Sequence, residues 1–233
     1  MESGNGVLTT KRVLIAILYF LVYPAVIMLL SGDLFWVEGW IFGIWYFAMS
    51  LTTTVYLYGK DLWLLSERYK KPGSEGHKKW DVYVTYAYRW GFRVWLVIMP
   101  LDAKRFGWTV YSPTWAKFLG GALLVISFFF LCRAYTDNTF LSPLVRIQSE
   151  RNHYVVSTGV YGFVRHPMYL GLTLQLIGAP MFVGSNYGII AGILMSLLLA
   201  GRIIGEEKML VNELEGYKEY REKVKYRLIP FIW

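Results

Sequence analysis

Charge is what this sequence has least of. Asp, Glu, Lys and Arg make up 17% of its 233 residues, while apolar residues make up 55% and aromatics 18%. Soluble domains carry about 25% charge, so 24 basic and 16 acidic side chains cover this surface thinly unless lipid covers part of it. The shortage excludes a disordered chain, and composition excludes collagen. Cysteine is nearly absent too. Cys132 stands alone, so an internal disulfide and a thiol metal or redox pair are excluded, and it reads as inert packing. No repeat or low-complexity tract is visible. The longest polar stretches are too short for an appended soluble domain.

The charges are missing in blocks. Val13–Gly32 and Gly39–Gly59 contain none, and at about 1.5 Å per residue each reaches about 30 Å, the thickness of a bilayer core. Phe118–Cys132 is uncharged and shorter, extended by Pro113–Trp115 and a snorkelling Lys117. Pro167–Gly201 is too long for one crossing. Turn formers at Gly178-Ala179-Pro180 and Gly184-Ser185-Asn186 divide it into two spans. Asp81–Leu101 is the weakest candidate, because it carries Arg89 and Arg93. These are four residues apart on one helix face, and that face is expected to meet protein or a wet cavity; a helix lying in the membrane interface is the other reading. The fold class is therefore all-α: a polytopic membrane bundle of about six transmembrane helices plus a C-terminal amphipathic helix.

Six crossings place 19 of the 24 Lys and Arg on the side of the N-terminus, against Lys104, Arg105 and Lys117 on the other. By the positive-inside rule both termini face the cytoplasm of a cytoplasmic (inner) membrane. The first apolar run is too long for a signal-peptide core and lacks a cleavage site. The net charge of +8 then reads as topology and attraction to membrane lipid headgroups, with no nucleic-acid partner.

Chemistry belongs in the polar segments. At Val156–Gly171 a turn-rich stretch opens an apolar helix. Pro167 suits the first helical position and His166 the cap. The helix start, with Arg165 and His166, offers donors to a carboxylate or phosphate, whether of a cofactor or of a lipid headgroup. Arg202-Ile203-Ile204-Gly205-Glu206-Glu207 follows the last span. Its adjacent carboxylates point about 100° apart, so one can reach into the bundle while the other faces water. Arg202 and Glu206 have the spacing of a helical ion pair, and a solvated helix end is the plainer reading. Glu207–Tyr226 repeats apolar residues at helical spacing and reads as one amphipathic helix, on the membrane surface or over the bundle.

Taken together, these clusters resemble the isoprenylcysteine carboxyl methyltransferase family, itself related to phospholipid N-methyltransferases. The likeness rests on Ser157-Thr158-Gly159-Val160-Tyr161, Arg165-His166-Pro167-Met168-Tyr169-Leu170-Gly171, Arg202-x-x-x-Glu206-Glu207, Gly216-Tyr217-x-x-Tyr220 and Arg227-Leu228-Ile229-Pro230, with Asn138 and Gln148 in the preceding loop. It implies a membrane enzyme that uses S-adenosyl-L-methionine, no metal, and a lipophilic or lipidated acceptor, with carboxylate O-methylation first among the possible reactions. It implies cofactor contacts at Gln148, Tyr161, Arg165, His166, Pro167, Tyr169, Gly171, Glu206 and Glu207. Asn138 and Arg202 would meet the acceptor, with Arg202 and Glu207 catalytic. Residues 113–233 would be the methyltransferase core, and residues 1–112, three spans, the substrate-determining part. A sterol-type membrane reductase using NADPH shares a related Arg-His motif. A small membrane transporter is the remaining reading, without the internal repeats usual for that class.

Overall fold

The computed structural model describes residues 10–233, all helix and connecting loop. The side chains of Lys11 and Arg12, used above in the charge count, lie outside the described residues. The helices are α1 (Thr10–Ser31), α2 (Val37–Lys60), α3 (Leu62–Arg68), α4 (Lys79–Pro100), α5 (Thr114–Asp137), α6 (Pro167–Val183), α7 (Asn186–Glu213) and α8 (Tyr217–Lys223). Each expected span has become a helix. By length and composition α2, α5 and α7 can each cross a membrane; the apolar parts Phe20–Ser31 of α1 and Pro167–Val183 are shorter. A wide apolar surface remains exposed on these helices, including Ile44, Val125, Leu194 and Leu197, as lipid contact requires.

The bundle core runs through Phe42, Trp95, Met99, Leu131, Leu176, Leu199 and Ile203. Its closest pair is α5 with α6. A methyl group at Gly120 would lie 2.4 Å from the Phe182 amide nitrogen and 2.6 Å from the Gly178 carbonyl oxygen. Only glycine allows that approach, the usual device for helix packing where lipid removes the hydrophobic drive. α4 packs on α7 and is fixed by Trp95, whose indole N–H donates to the Leu176 carbonyl at 3.1 Å. α4 therefore belongs to the bundle. Arg89 is half-buried and Arg93 exposed over the Trp90 ring, 4.8 Å from its centroid.

The α6–α7 hairpin turns at Gly184, whose φ of 84° suits a residue without a side chain. Ser185 caps α7 by accepting from Gly188 N–H. Buried Asp102 accepts from the Ser185 hydroxyl at 2.6 Å, from Tyr187 N–H at 3.2 Å and from both the amide and hydroxyl of Thr109. The Gly178-Ala179-Pro180 signal marks no turn. Pro180 lies inside α6, and its carbonyl accepts the Gly184 and Ser185 amides that close the helix.

The tail departs from the expected single amphipathic helix over 207–226. α7 itself continues through Arg202, Glu206 and Glu207 to Glu213, and the chain breaks before Gly216, whose φ is 80°. Short α8 then packs inward, burying Leu214, Tyr217, Tyr220 and Val224 as a separate apolar cluster over the bundle. The turn at 214–216 redirects the apolar face that a continuous helix would have left on the surface.

Candidate functional site

The two sequence clusters meet. The start of α6 and the last turns of α7 share one wall of a pocket, partly open to solvent, that the 138–156 loop and α8 border. Asn138, Tyr161, Arg165, His166, Pro167, Tyr169 and Glu206 line it, so most of the expected positions converge. Gln148, Gly171, Arg202 and Glu207 stand behind the lining.

Glu207 organises the wall from behind. One carboxylate oxygen accepts from Arg165 Nε at 2.6 Å and lies 3.3 Å from His166 Nε2; the other accepts from Arg227 Nε at 2.7 Å. Arg165 Nη1 donates to the Val224 and Lys225 carbonyls at 2.6 and 2.8 Å. The Arg165 and His166 amides donate to the Tyr226 and Arg227 carbonyls. One arginine thus ties the α6 start, the α7 end and the C-terminal strand of chain together. Two of Arg165's donor nitrogens are committed, and His166 remains at the mouth of a helix whose first amides carry partial positive charge.

Glu206 points the other way, as adjacent positions on a helix must. Its Oε2 accepts from the Tyr169 hydroxyl at 2.7 Å, and Oε1 has no hydrogen-bond partner among the described residues. Tyr161, pushed up from the ordinary phenol range by burial, donates to the Ala134 carbonyl at 3.3 Å, while its own carbonyl accepts from the Tyr220 hydroxyl at 2.7 Å. Tyr217 has a buried hydroxyl with no partner; burial pushes it up as well, so it stays a neutral donor aimed at the cavity wall. An orphaned buried hydroxyl costs about 1–3 kcal/mol unless something meets it.

Arg202 does not pair with Glu206. Its Nε and Nη2 fork onto both oxygens of Asp81, each at 2.7 Å, and Nη2 also donates to the Pro143 carbonyl at 2.7 Å. Asp81 is fully buried and also accepts from Val145 N–H and contacts His77. A second buried pair repeats the pattern. Arg146 donates to both oxygens of Glu67 on α3 and to Glu150 at 2.5 Å. Burial pushes the Glu67 carboxyl up, but hydrogen bonds from Arg146 and Lys70 outweigh it and hold the group below its usual value. The N-terminal part therefore grips the loop that closes the cavity.

Gln148 serves that loop from inside, its amide donating to the Phe140 carbonyl at 2.7 Å. His153 stacks on Phe140 with ring centroids 4.5 Å apart and is pushed down to about 4 by burial and then by Arg146 and Arg151, which leaves it neutral at pH 7. Gly171 is a packing position. Its carbonyl accepts from Ser127, and an added methyl would meet Leu131 at 2.8 Å. Sequence reasoning missed Glu67, Asp81, Arg146, His153 and Tyr217 as parts of the site. Only Tyr217 had a signal, in Gly216-Tyr217-x-x-Tyr220.

Residues 119–212 match the sequence model of the isoprenylcysteine carboxyl methyltransferase family. The protein-S-isoprenylcysteine O-methyltransferase of Schizosaccharomyces pombe is 34% identical over 88 residues, 36% of this chain and 36% of that protein. The enzyme of the same name from Saccharomyces cerevisiae is 34% identical over 100 residues, 42% of this chain and 41% of that protein. The matches thus span about two fifths of these relatives' length. The solved structure of a eukaryotic intramembrane Ras methyltransferase, isoprenylcysteine carboxyl methyltransferase, has the same fold, with a TM-score of 0.54 at 20% identity, covering 94% of this chain and 73% of that one. α6 and nearly all of α7, which carry the cavity wall, fall within the matched region, so this part of the chain is similar in sequence to the isoprenylcysteine carboxyl methyltransferase family, and the whole chain shares the fold of one solved enzyme of that name.

Proposed function

We propose that this protein is an integral membrane methyltransferase that transfers a methyl group from S-adenosyl-L-methionine to a lipophilic carboxylate, of which an S-isoprenylcysteine is the class named for its relatives. The observation that carries the reading is the unmatched donor and acceptor set in the cavity. Among the described residues Glu206 Oε1 and the Tyr217 hydroxyl have no partner, and His166 stands at an open helix start. These complement the cofactor's ammonium and ribose hydroxyls, and its carboxylate. The Tyr169 and Tyr161 rings offer faces to a sulfonium, worth about 0.5–2 kcal/mol. Phe140 and His153, stacked and neutral, offer an apolar wall for an adenine.

When bound, the cofactor supplies a methyl group already activated on sulfur. The protein's own work is to align the acceptor and exclude water. A carboxylate acceptor is already ionised at pH 7 and needs no base. Glu207 accordingly acts as a positioning residue, because Arg165, His166 and Arg227 occupy its oxygens. Arg202 positions the 143–145 backbone through Asp81. Arg165 fastens the tail and keeps one terminal nitrogen for the cofactor carboxylate, while Asn138 and Gln148 shape the loop side.

Isothermal titration of the detergent-purified protein tests this. S-adenosylhomocysteine is expected to bind, and His166→Ala and Glu206→Gln each to weaken it about 10- to 100-fold, the cost of a lost charged hydrogen bond. Heat with NADPH alone, or unchanged affinity in both variants, overturns the reading.

The same reading places the cavity on the cytoplasmic side of the inner membrane, because Arg133, Arg146, Arg151, Arg165 and most of the tail's basic residues lie at that end of the bundle. The cofactor then enters from water and the acceptor from the bilayer. A reporter fused after Trp233 is expected to be cytoplasmic, and activity only on the opposite side reverses the topology.

A further inference from the structure

The bundle holds a second cavity, of about 360 Å³ and partly open, bordered by α1, α2, α4, α5 and α6 with the last residue of α3. Most of its wall is apolar or aromatic. Two guanidinium groups break that pattern, Arg68 and Arg89, and among the described residues no Asp or Glu lines the cavity. Among the described residues neither arginine pairs with an acid. The buried arginines of the first site are each matched: Arg146 by Glu67, Arg165 by Glu207, Arg202 by Asp81. Arg89 is half-buried and Arg68 more exposed, and a charge left without a counter-ion beside membrane helices marks a ligand path. Two further groups lack partners in the same wall, the buried Tyr88 hydroxyl and Gln175 Nε2; Gln175 is 2% exposed. Four donors therefore face one space that contains no protein acceptor charge.

The second cavity adjoins the first. Arg68 lies 4.2 Å from the Tyr135 ring centroid, and the Tyr135 hydroxyl is 3.8 Å from Met168 Sδ, which lines the cofactor cavity. On α6, Pro167, Met168 and Tyr169 serve the first cavity, and Leu172 and Gln175, a turn further, serve the second.

We infer that Arg68 and Arg89, with Tyr88 and Gln175, form an anion-selective recognition site for the charged tip of the lipophilic acceptor, so that the site takes acids and rejects their methyl esters. The inference rests on the proposed methyl transfer for the identity of the ligand. It adds Arg68, Tyr88 and Arg89 of the N-terminal part, outside the region matched to the family, to Gln175 inside it. Its consequence concerns turnover. An acid is held by charge-assisted hydrogen bonds, which an ester does not form with comparable strength. Product is thus held more weakly than substrate by the very groups that admit it, and the bilayer takes it back. Amine-tipped lipids meet two like charges and are excluded.

The test is equilibrium binding to the purified full chain in detergent without cofactor, followed by intrinsic tryptophan fluorescence. The probes are a farnesyl thioether acid, its methyl ester, a farnesyl amine and dodecyl phosphate. The acid is expected to bind at least tenfold more tightly than the ester, with no measurable amine binding. Arg68→Gln and Arg89→Gln should each lose about tenfold for the acid and nothing for the ester, with S-adenosylhomocysteine affinity retained. Gln175→Leu, close to isosteric, should lose three- to tenfold and guards against a folding defect in the arginine variants. Equal affinity for acid and ester overturns the inference. So does tight dodecyl phosphate binding with none of the acid, which assigns the site to a bilayer phosphate. Because cofactor is omitted, a failed nucleotide titration and a failed anion preference are separate results.

Discussion

Replacing Glu207 by alanine should lower the stability of the folded protein by about 3–5 kcal/mol, the cost of breaking a buried ion pair by removing one partner. Glu207 is 4% exposed and is the only carboxylate in contact with Arg165 among the described ion pairs. Without it, the Arg165 guanidinium stays buried with only backbone carbonyls to oppose it, His166 loses its carboxylate contact, and Arg227 loses its anchor to α7. Glu207→Gln keeps the shape but removes the charge, and about 1.5–3 kcal/mol should be lost. The measurement is the unfolding midpoint in detergent micelles, paired with S-adenosylhomocysteine affinity. Both should fall, because the tail and the helix start come apart together. The double variant Arg165→Met, Glu207→Leu should recover part of the midpoint, since an apolar replacement removes both desolvation costs. It should recover none of the affinity. A midpoint unchanged in Glu207→Ala would show that the network carries no weight.

That network also shows where sequence reading reaches and where it stops. The helices were legible because membrane crossing is a one-dimensional property. A charge-free run of the right length has few alternatives, and α1, α2, α5, α6 and α7 follow the runs closely. α4 was harder, because Arg89 and Arg93 weaken its apolar signal; its place is secured by Trp95 and by Asp81, which pair with residues far along the chain. Local rules failed where a distant partner outcompeted a near one. The i, i+4 spacing pointed Arg202 at Glu206, but buried Asp81 matches both forks of the guanidinium and lies 121 positions away. The tail's helical period was real, yet Gly216 in the left-handed region splits it and turns the apolar face inward. The cavity lining at Arg165, His166 and Tyr169 was legible because each sits beside the start of α6, where sequence marks the boundary, and Glu206 because its carboxylate pair follows a long uncharged run. Glu67 and Arg146 were not, since nothing in the spacing of 79 residues records their contact.

The Arg202–Asp81 pair yields the second large effect. Asp81 is fully buried, and Arg202 supplies its two shortest hydrogen bonds. Arg202→Ala leaves the carboxylate with His77, Thr85 and one backbone amide, so about 3–5 kcal/mol of stability should be lost. Arg202→Lys keeps the charge but not the fork. An ammonium cannot span both Asp81 oxygens and also hold the Pro143 carbonyl in the same plane, so a loss between that of alanine and none is expected. A double-mutant cycle with Asp81→Asn should then return a coupling energy of about 0.5–3 kcal/mol, as contacting residues do. The cycle also decides how Arg202 acts. If it positions the 143–145 backbone, Asp81→Asn and Arg202→Lys should weaken S-adenosylhomocysteine binding to a similar extent. Each should then leave the acceptor's KM little changed. If it instead touched the acceptor, Arg202→Lys would raise KM while Asp81→Asn, which frees the guanidinium, would lower it. Arg202 lies outside the cavity lining with its donors directed at Asp81 and Pro143, and that geometry leads us to expect the first pattern.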